Sequence, residues 1–437
     1  MLLRKLPLPF LIAILACIAA LLPKTASAWQ ERTAEETLKE SERSFSNEAG
    51  HGSVTFGLNY YQNDDNGDGN PFLDEALTDI EPVIIFDYNV TDRFSINGDL
   101  SYDYVSSASL KRLDGLGHQS GATGDYYYGA NLGGAYKLNP DLRIGGSLSF
   151  STEYDYDSIG LGSFVARDLN NKNTTLKLNL NAFQDSIDVI RWNGWQGVRW
   201  DGLESSEESE TDDRTTLSLT GNWYQIITPT THSELGISAT HQSGFLETAY
   251  NFVVMEYDDP DHDPPSRTLG PDSFHPLARD DDLLDLDEDI TGQIYSEELP
   301  DTRTRGSIFG RVRTSLSPAT AVELGGRLYA DSWGISSVTI EPRLYQWLIE
   351  DKLSARLRYR FYAQTAADDY SAHFEMADPP TFRTQDSDLG DFTANGAGIK
   401  FSWYVSETLR FDVSGDYILR SDGIDQVLGG AGFNWAF

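Results

Sequence analysis

The chain is poor in several residue types that hold or run other proteins. It has one cysteine in 437 residues, Cys17, so no disulfide can staple it. It has seven histidines, and none falls in a metal-ligand spacing. Positive charge is scarce: 33 Lys and Arg stand against 68 Asp and Glu, a formal charge of −35. That balance excludes nucleic acid as a partner, because binding the phosphate backbone needs basic surface. Beyond the N-terminus there is no long apolar run, which excludes membrane-spanning helices. H-E-x-x-H, G-x-S-x-G and P-loop motifs are all missing, so the chain is not read as an enzyme.

The one long apolar run lies at the start. Arg4 and Lys5 precede a stretch of Leu, Ile and Ala, and Ala26-Ser27-Ala28 gives a small-x-small cleavage site. Residues 1–28 therefore read as a secretory signal peptide. Their loss removes Arg4, Lys5, Lys24 and Cys17 and takes the charge from −35 to −38. Residues 29–51 read as a periplasmic N-terminal tail or short polar helix, and residues 52–437 as a single body.

What the body does have is alternation with a period of two. In 408–419, Leu409, Phe411, Val413, Gly415, Tyr417 and Leu419 alternate with Arg410, Asp412, Ser414 and Asp416. In 352–364, Leu353, Ala355, Leu357, Tyr359 and Phe361 alternate with Ser354, Arg356, Arg358 and Arg360. Such strands need an apolar medium on one face and water on the other. They run about ten residues or more, the length that crosses a bilayer when tilted. Their connections alternate between tight turns (90–92, 139–141, 169–173, 228–231) and links of variable, often great, length (63–79, 107–123, 188–213, 248–299). Short turns on one side and long loops on the other predict an all-β, transmembrane antiparallel barrel, with long outer loops and short periplasmic turns. The count is about sixteen strands, within a range of 14–18. The last strand carries Phe433, Trp435 and Phe437 on alternate positions, a terminal signal for the barrel-assembly machinery.

Four blocks carry a family likeness: "ALTDIEPVIIFDY" (76–88), "STEYDYDSIGLG" with "NNKNTTL" (151–176), "THQSGFLETAYNFV" (241–254), and the long run 299–370 from "LPDTRTRGSIFGRVR" to "YRFYAQTAADDY". Together they resemble a bacterial outer-membrane β-barrel family known as domain of unknown function 3570. The resemblance implies a barrel, an outer-membrane address, no assigned activity, and a periplasmic or surface protein as a candidate partner. The chain departs from the family pattern in loop 63–75 and in the acidic segment 256–298.

Alternation assigns side chains to the lumen. Arg303, Arg305, Arg311, Arg313, Arg327, Arg343, Arg356, Arg358 and Arg360 point inward in the second half, with Glu323, Asp331 and Glu341 nearby. Glu81, Asp87, Asp99, Asp103, Glu153 and Asp155 point inward in the first half. One basic wall and one acidic wall would orient or select anionic or dipolar solutes. The same residues could equally form a paired network that only fills the barrel.

The loops add two features. Asp64, Asn66, Asp68, Asn70 and Glu75 match the spacing of a calcium loop, with Gly69 at its sharp turn, so Ca²⁺ is the one candidate cofactor. Segment 256–298 holds fifteen acids against Arg267 and Arg279, a solvated face or a docking surface for a cation or a cationic partner. Trp192, Trp195 and Trp200 in loop 188–213 read as interfacial or loop-packing aromatics. The expected function is a pore or transporter for a small polar or anionic solute in the outer membrane. The alternative is a non-conducting surface scaffold that anchors or helps export a partner protein.

Overall fold

The computed structural model describes residues 48–65, 70, 76–107, 123–153, 156–189, 210–248, 251–256, 292–375 and 380–437. The signal peptide and tail readings, Trp192, Trp195, Trp200, and most of the acidic segment lie outside these residues.

Sixteen strands close one antiparallel barrel. The first nine are β1 (Gly52–Asp65), β2 (Leu77–Asn89), β3 (Phe94–Ser107), β4 (Thr123–Asn139), β5 (Leu142–Thr152), β6 (Tyr156–Leu169), β7 (Thr174–Val189), β8 (Glu210–Thr228) and β9 (Thr231–Gly244). The remaining seven are β12 (Thr302–Ser317), β13 (Thr320–Asp331), β14 (Ser336–Ile349), β15 (Leu353–Gln364), β17 (Phe392–Tyr404), β18 (Leu409–Arg420) and β19 (Ile424–Ala436). Their number is the sixteen that alternation gives. β1 pairs with β19 over Ser53–Asp65, so no edge is left open.

The barrel satisfies every strand's backbone groups by pairing with two neighbours, which is what a span through lipid requires. Its outer face is apolar: Leu132, Leu148, Ile159, Leu161, Ile237 and Leu324 are each more than half exposed. Aromatic rings gather at both ends of this band. Near the turn side Phe56, Phe433, Phe411 and Trp403 touch in series, and Trp435 packs on Phe437. Near the loop side Tyr102, Tyr104, Tyr126 and Tyr128 form a second cluster. Two girdles around an apolar belt are the signature of a membrane-spanning barrel.

The turn side is built from links such as the one between β6 and β7, where Asn170, Asn171 and Lys172 hold φ values of 51°, 53° and 66°. Asparagine tolerates that left-handed backbone better than most residues. The start of β1 and the end of β19 share this side with the tight turns, so the strands joined by the long links end on the other.

Within those long links the structure adds what alternation did not. β10 (Phe252–Glu256), β11 (Gly292–Ser296) and β16 (Phe374–Glu375) form a three-stranded sheet, antiparallel between β10 and β11 and parallel between β10 and β16. Val253 and Met255 are fully buried in it, and Thr384 and Gln385 are buried beside it. A short 3-10 turn, η1 (Ser387–Leu389), follows. This folded cap covers the loop side of the second half of the barrel.

Candidate functional site: the basic wall and the cap

Pairing registers put all nine predicted arginines on one face of four adjacent strands. On β12, Arg311 stands opposite Glu234, and on β13 Glu323 stands opposite Arg313 and Arg343. Arg358 stands between Arg343 and Gly398, and Arg356 opposite Lys400. Leu and Ile of the same strands hold the opposite, lipid face, so this face is the lumen.

The nine do not behave alike. Four have carboxylate partners. Arg303 donates to Asp331 through Nε at 2.9 Å and Nη2 at 2.5 Å, and its guanidinium lies 4.2 Å above the Trp333 ring. Arg311 pairs with Glu234 at 2.8 Å. Arg343 pairs with Glu323 at 2.7 Å and also with Glu341. Arg358 pairs with Asp416 at 2.8 Å and reaches Glu341 at 3.9 Å. Arg343, Arg358, Glu323, Glu341 and Asp416 thus make a neutralising belt at mid-height. Gly398 is part of it, because a Cβ there would collide with the Asp416 carboxylate.

The other five, Arg305, Arg313, Arg327, Arg356 and Arg360, have no ion pair among the described residues. Arg313 lies 3.9 Å over Tyr345, and Arg327 and Arg360 lie 5.8 and 5.6 Å from Tyr329 and Tyr362. The Nε atoms of Arg305, Arg356 and Arg360 are buried without a hydrogen-bond partner. Arg305, Arg327 and Arg360 line one cavity of about 510 Å³ at the loop end of the lumen. An adjoining cavity of about 340 Å³ shares Arg360, Tyr362, Gln364 and Asp388.

The cap forms the roof of both cavities. Gln364 donates to the carbonyls of Asp388 at 2.9 Å and Gly390 at 2.6 Å. Arg420, on the lumen face of β18, donates to Asp388 at 2.5 Å and to Asp422. Leu389 packs against the buried cluster of Leu299, Trp333, Ile335 and Ala367, as Tyr329 does. Two carboxylates stitch the cap together from inside. Glu297 accepts from the Thr384 hydroxyl at 2.5 Å and the Thr248 amide at 2.9 Å. Glu247 accepts from the Leu299 amide at 3.0 Å. Burial raises the Glu297 carboxyl to about 7, helped by Asp386 and Glu247 and opposed by its two donors. Burial also raises Asp386 to about 6, with Asp388 adding to the effect.

The first-half acids face this wall from across the lumen. In the ring order, β2 stands eight strands from β12, the far side of a sixteen-strand circuit. Glu81 accepts from Asn59 at 2.8 Å, Asp99 from Asn131 at 3.1 Å, and Asp87 from the Ser53 hydroxyl. Asp103 lies near Asp79, a residue that alternation places in the link 63–79 but that belongs to β2, which begins at Leu77. The Oδ1 atoms of both are buried with no hydrogen-bond partner. Glu153 sits past the end of β5, in an exposed rim link, and Asp155 lies outside the described residues. Glu234, Asp416 and Arg420 were missed as lumen groups, although they occupy the polar face of their strands like the residues that were named.

Of the calcium-type set, Asn66, Asp68 and Glu75 lie outside the described residues. Asp64 is an exposed member of β1, paired in register with Asp425. Asn70 is 3% exposed, and its side-chain amide donates to the Gln385 carbonyl at 2.9 Å, tying the first outer loop to the cap. Among the described residues no three His, Cys, Asp or Glu side chains gather as a metal set.

Comparison with solved structures gives loose likenesses. A bacterial polysaccharide outer membrane secretin has a TM-score of 0.45 and 9% identity, with 88% of this chain and 98% of that chain covered. The siderophore receptor PirA from Acinetobacter baumannii gives 0.42 and 10%, covering 85% of this chain and 52% of that chain. A FadL homologue from Pseudomonas aeruginosa gives 0.39 and 8%, covering 88% and 90%. Likeness at this level passes no function to the chain. Comparison with curated proteins gives no match. The family model described as "Protein of unknown function (DUF3570)" matches residues 125–432, which leaves only the block 76–88 of the four quoted blocks outside. With its fold, its strand order and more than half its length accounted for, the chain belongs to the DUF3570 family.

Proposed function

We propose that the protein is an outer-membrane channel or transporter that favours small anionic solutes, entering at the capped mouth beside Arg305, Arg327 and Arg360. One observation carries this reading: these three guanidiniums face a shared cavity with no carboxylate partner among the described residues. A paired arginine presents almost no net field, whereas an unpaired one in a confined, low-dielectric space attracts anions. A charge ladder of this kind is how pores discriminate. Export and insertion would follow from the N-terminal leader and from the terminal aromatic strand, read by the barrel-assembly machinery. Reconstitution in planar bilayers tests the proposal. A reversal potential displaced toward that of chloride in a KCl gradient supports it, and cation selectivity overturns it.

A second reading has its own observation. The cap is packed and hydrogen-bonded, with Val253, Met255 and Thr384 at about zero exposure. A closed lid of this quality would suit a non-conducting scaffold that presents the acidic segment to a protein partner. A silent barrel that co-purifies with a periplasmic or surface protein would favour it.

A further inference from the structure

Asp388 is the carboxylate that the cap itself places in the basic cavities. It lines both, beside Arg360, yet among the described residues its only ion pair is with Arg420, and its side chain is 72% exposed. Arg420 is held independently by Asp422, through Nε and Nη2, so it keeps a counter-charge if Asp388 leaves. Glu341, the other acid lining the larger cavity, is engaged with Arg343, and the lining Arg303 is neutralised by Asp331 behind it. Three positive charges thus remain against one exposed negative one, whose partner is Arg420 and none of the three. Guanidinium forks match carboxylate and phosphate oxygens in pairs. Tyr329 and Tyr362 add aromatic faces, and Ser337 and Thr339 add hydroxyls on the same wall. The cavity, at about 510 Å³, falls within the range of small-molecule sites.

We propose that Arg305, Arg327 and Arg360 bind a small oxoanion carrying two or more negative charges, and that Asp388 is the internal competitor it displaces. The site deepens the anion reading of the basic wall but does not need conduction, since a ligand can dock under the cap of a silent barrel. A singly charged ion such as chloride would leave most of the positive field unmatched. A dianion or trianion would offset it and would out-compete one carboxylate whose side chain is exposed.

The test uses the full mature chain in detergent, titrated calorimetrically with citrate in one arm and inorganic phosphate in another, at ionic strength held constant with sodium chloride. Trp333, buried beneath the cavity-lining Arg303, gives a second signal by fluorescence. Saturable binding by either probe is expected, and the tighter arm says whether a polycarboxylate or a phosphate fits better. Arg327→Gln with Arg360→Gln should weaken it about tenfold or more, as loss of charge-assisted bonds implies. Asp388→Asn should tighten it several-fold, about the cost of removing one competing charge. Lys177→Gln, which removes the same charge from the opposite half, should leave it unchanged. Equal loss with Lys177→Gln, or unaltered binding in the double arginine variant, overturns the site. Heat-dependent gel mobility checks that each variant is a closed barrel. Binding without anion-selective conductance would retire the channel and keep the site; anion-selective conductance without binding would do the reverse.

Discussion

The two walls of the lumen carry opposite charge and opposite degrees of neutralisation. On the acidic side, Glu81, Asp87 and Asp99 take hydrogen bonds from neutral Asn and Ser, so their charge stays largely uncompensated. On the basic side, four arginines are cancelled by acids of the same wall and five are not. The difference separates two jobs that a row of like residues can do. A paired arginine holds neighbouring strands together, and an unpaired one sets a field. Counting arginines does not distinguish them; asking which carboxylate each touches does.

That contrast breaks most visibly at Arg343. Arg343→Met would leave Glu323, 6% exposed, and Glu341 facing each other without their shared cation. A loss of about 3 kcal/mol is expected, seen as a lower urea midpoint for the unfolding of the barrel, because stranding a buried charge costs more than its pair contributes. Arg305→Gln with Arg327→Gln should do the converse. Stability should hold within about 0.5 kcal/mol, as for an unpaired group, while the chloride-over-potassium permeability ratio drops several-fold. If the two variants exchange these phenotypes, the division of labour is wrong. Asp79→Asn with Asp103→Asn should sharpen anion preference about twofold, a smaller effect because the acids lie across a wide lumen.

The cap supplies a pH arm to the same comparison. The Glu297 carboxyl is raised to about 7 from its ordinary value near 4.5. The folded cap therefore binds the proton more tightly than the unfolded cap does, and the contribution to stability is full below about pH 4.5 and lost as pH rises through about 7. Hydrogen exchange at the Thr384 and Thr248 amides, corrected for intrinsic rate, should show more protection at pH 5 than at pH 8. Glu297→Gln should flatten that difference. Smallest of all is the calcium effect. Ca²⁺ at the 64–75 loop would stiffen the tie from Asn70 to Gln385, and calorimetry should show heats that Asp64→Ala with Glu75→Ala abolishes; equal heats would remove calcium from consideration.

Much of the barrel is legible because lipid on one face and water on the other force a strict alternation, which nothing in the sequence obscures. "KLSARLRYRFYAQ" could be placed side by side with its neighbours on that basis alone, and its three arginines do share the lumen face. Partnerships were not legible. Whether Arg358 is cancelled depends on Asp416, fifty-eight residues away in the chain and brought close only by the order β15–β17–β18. The cap was hidden for a different reason. Phe252–Glu256 and Gly292–Ser296 are five-residue strands separated by an acidic run, too short for alternation to outweigh the surrounding charge.

The seam between β1 and β19 has a consequence of its own. Gly52 and Phe437 exchange a pair of backbone hydrogen bonds at 2.9 Å, the contact of greatest sequence separation in the barrel. Bringing those ends together from a free chain costs roughly 5 kcal/mol of closure entropy. Across the seam Phe56 stacks on Phe433 and the Asn434 amide donates to Thr55, contacts that repay part of it locally. The ring therefore has one joint that must form between the two ends of the strand order, and once closed it is paired without interruption from Ser53 to Asp65. A machine that held the two ends in proximity would remove most of that entropic barrier.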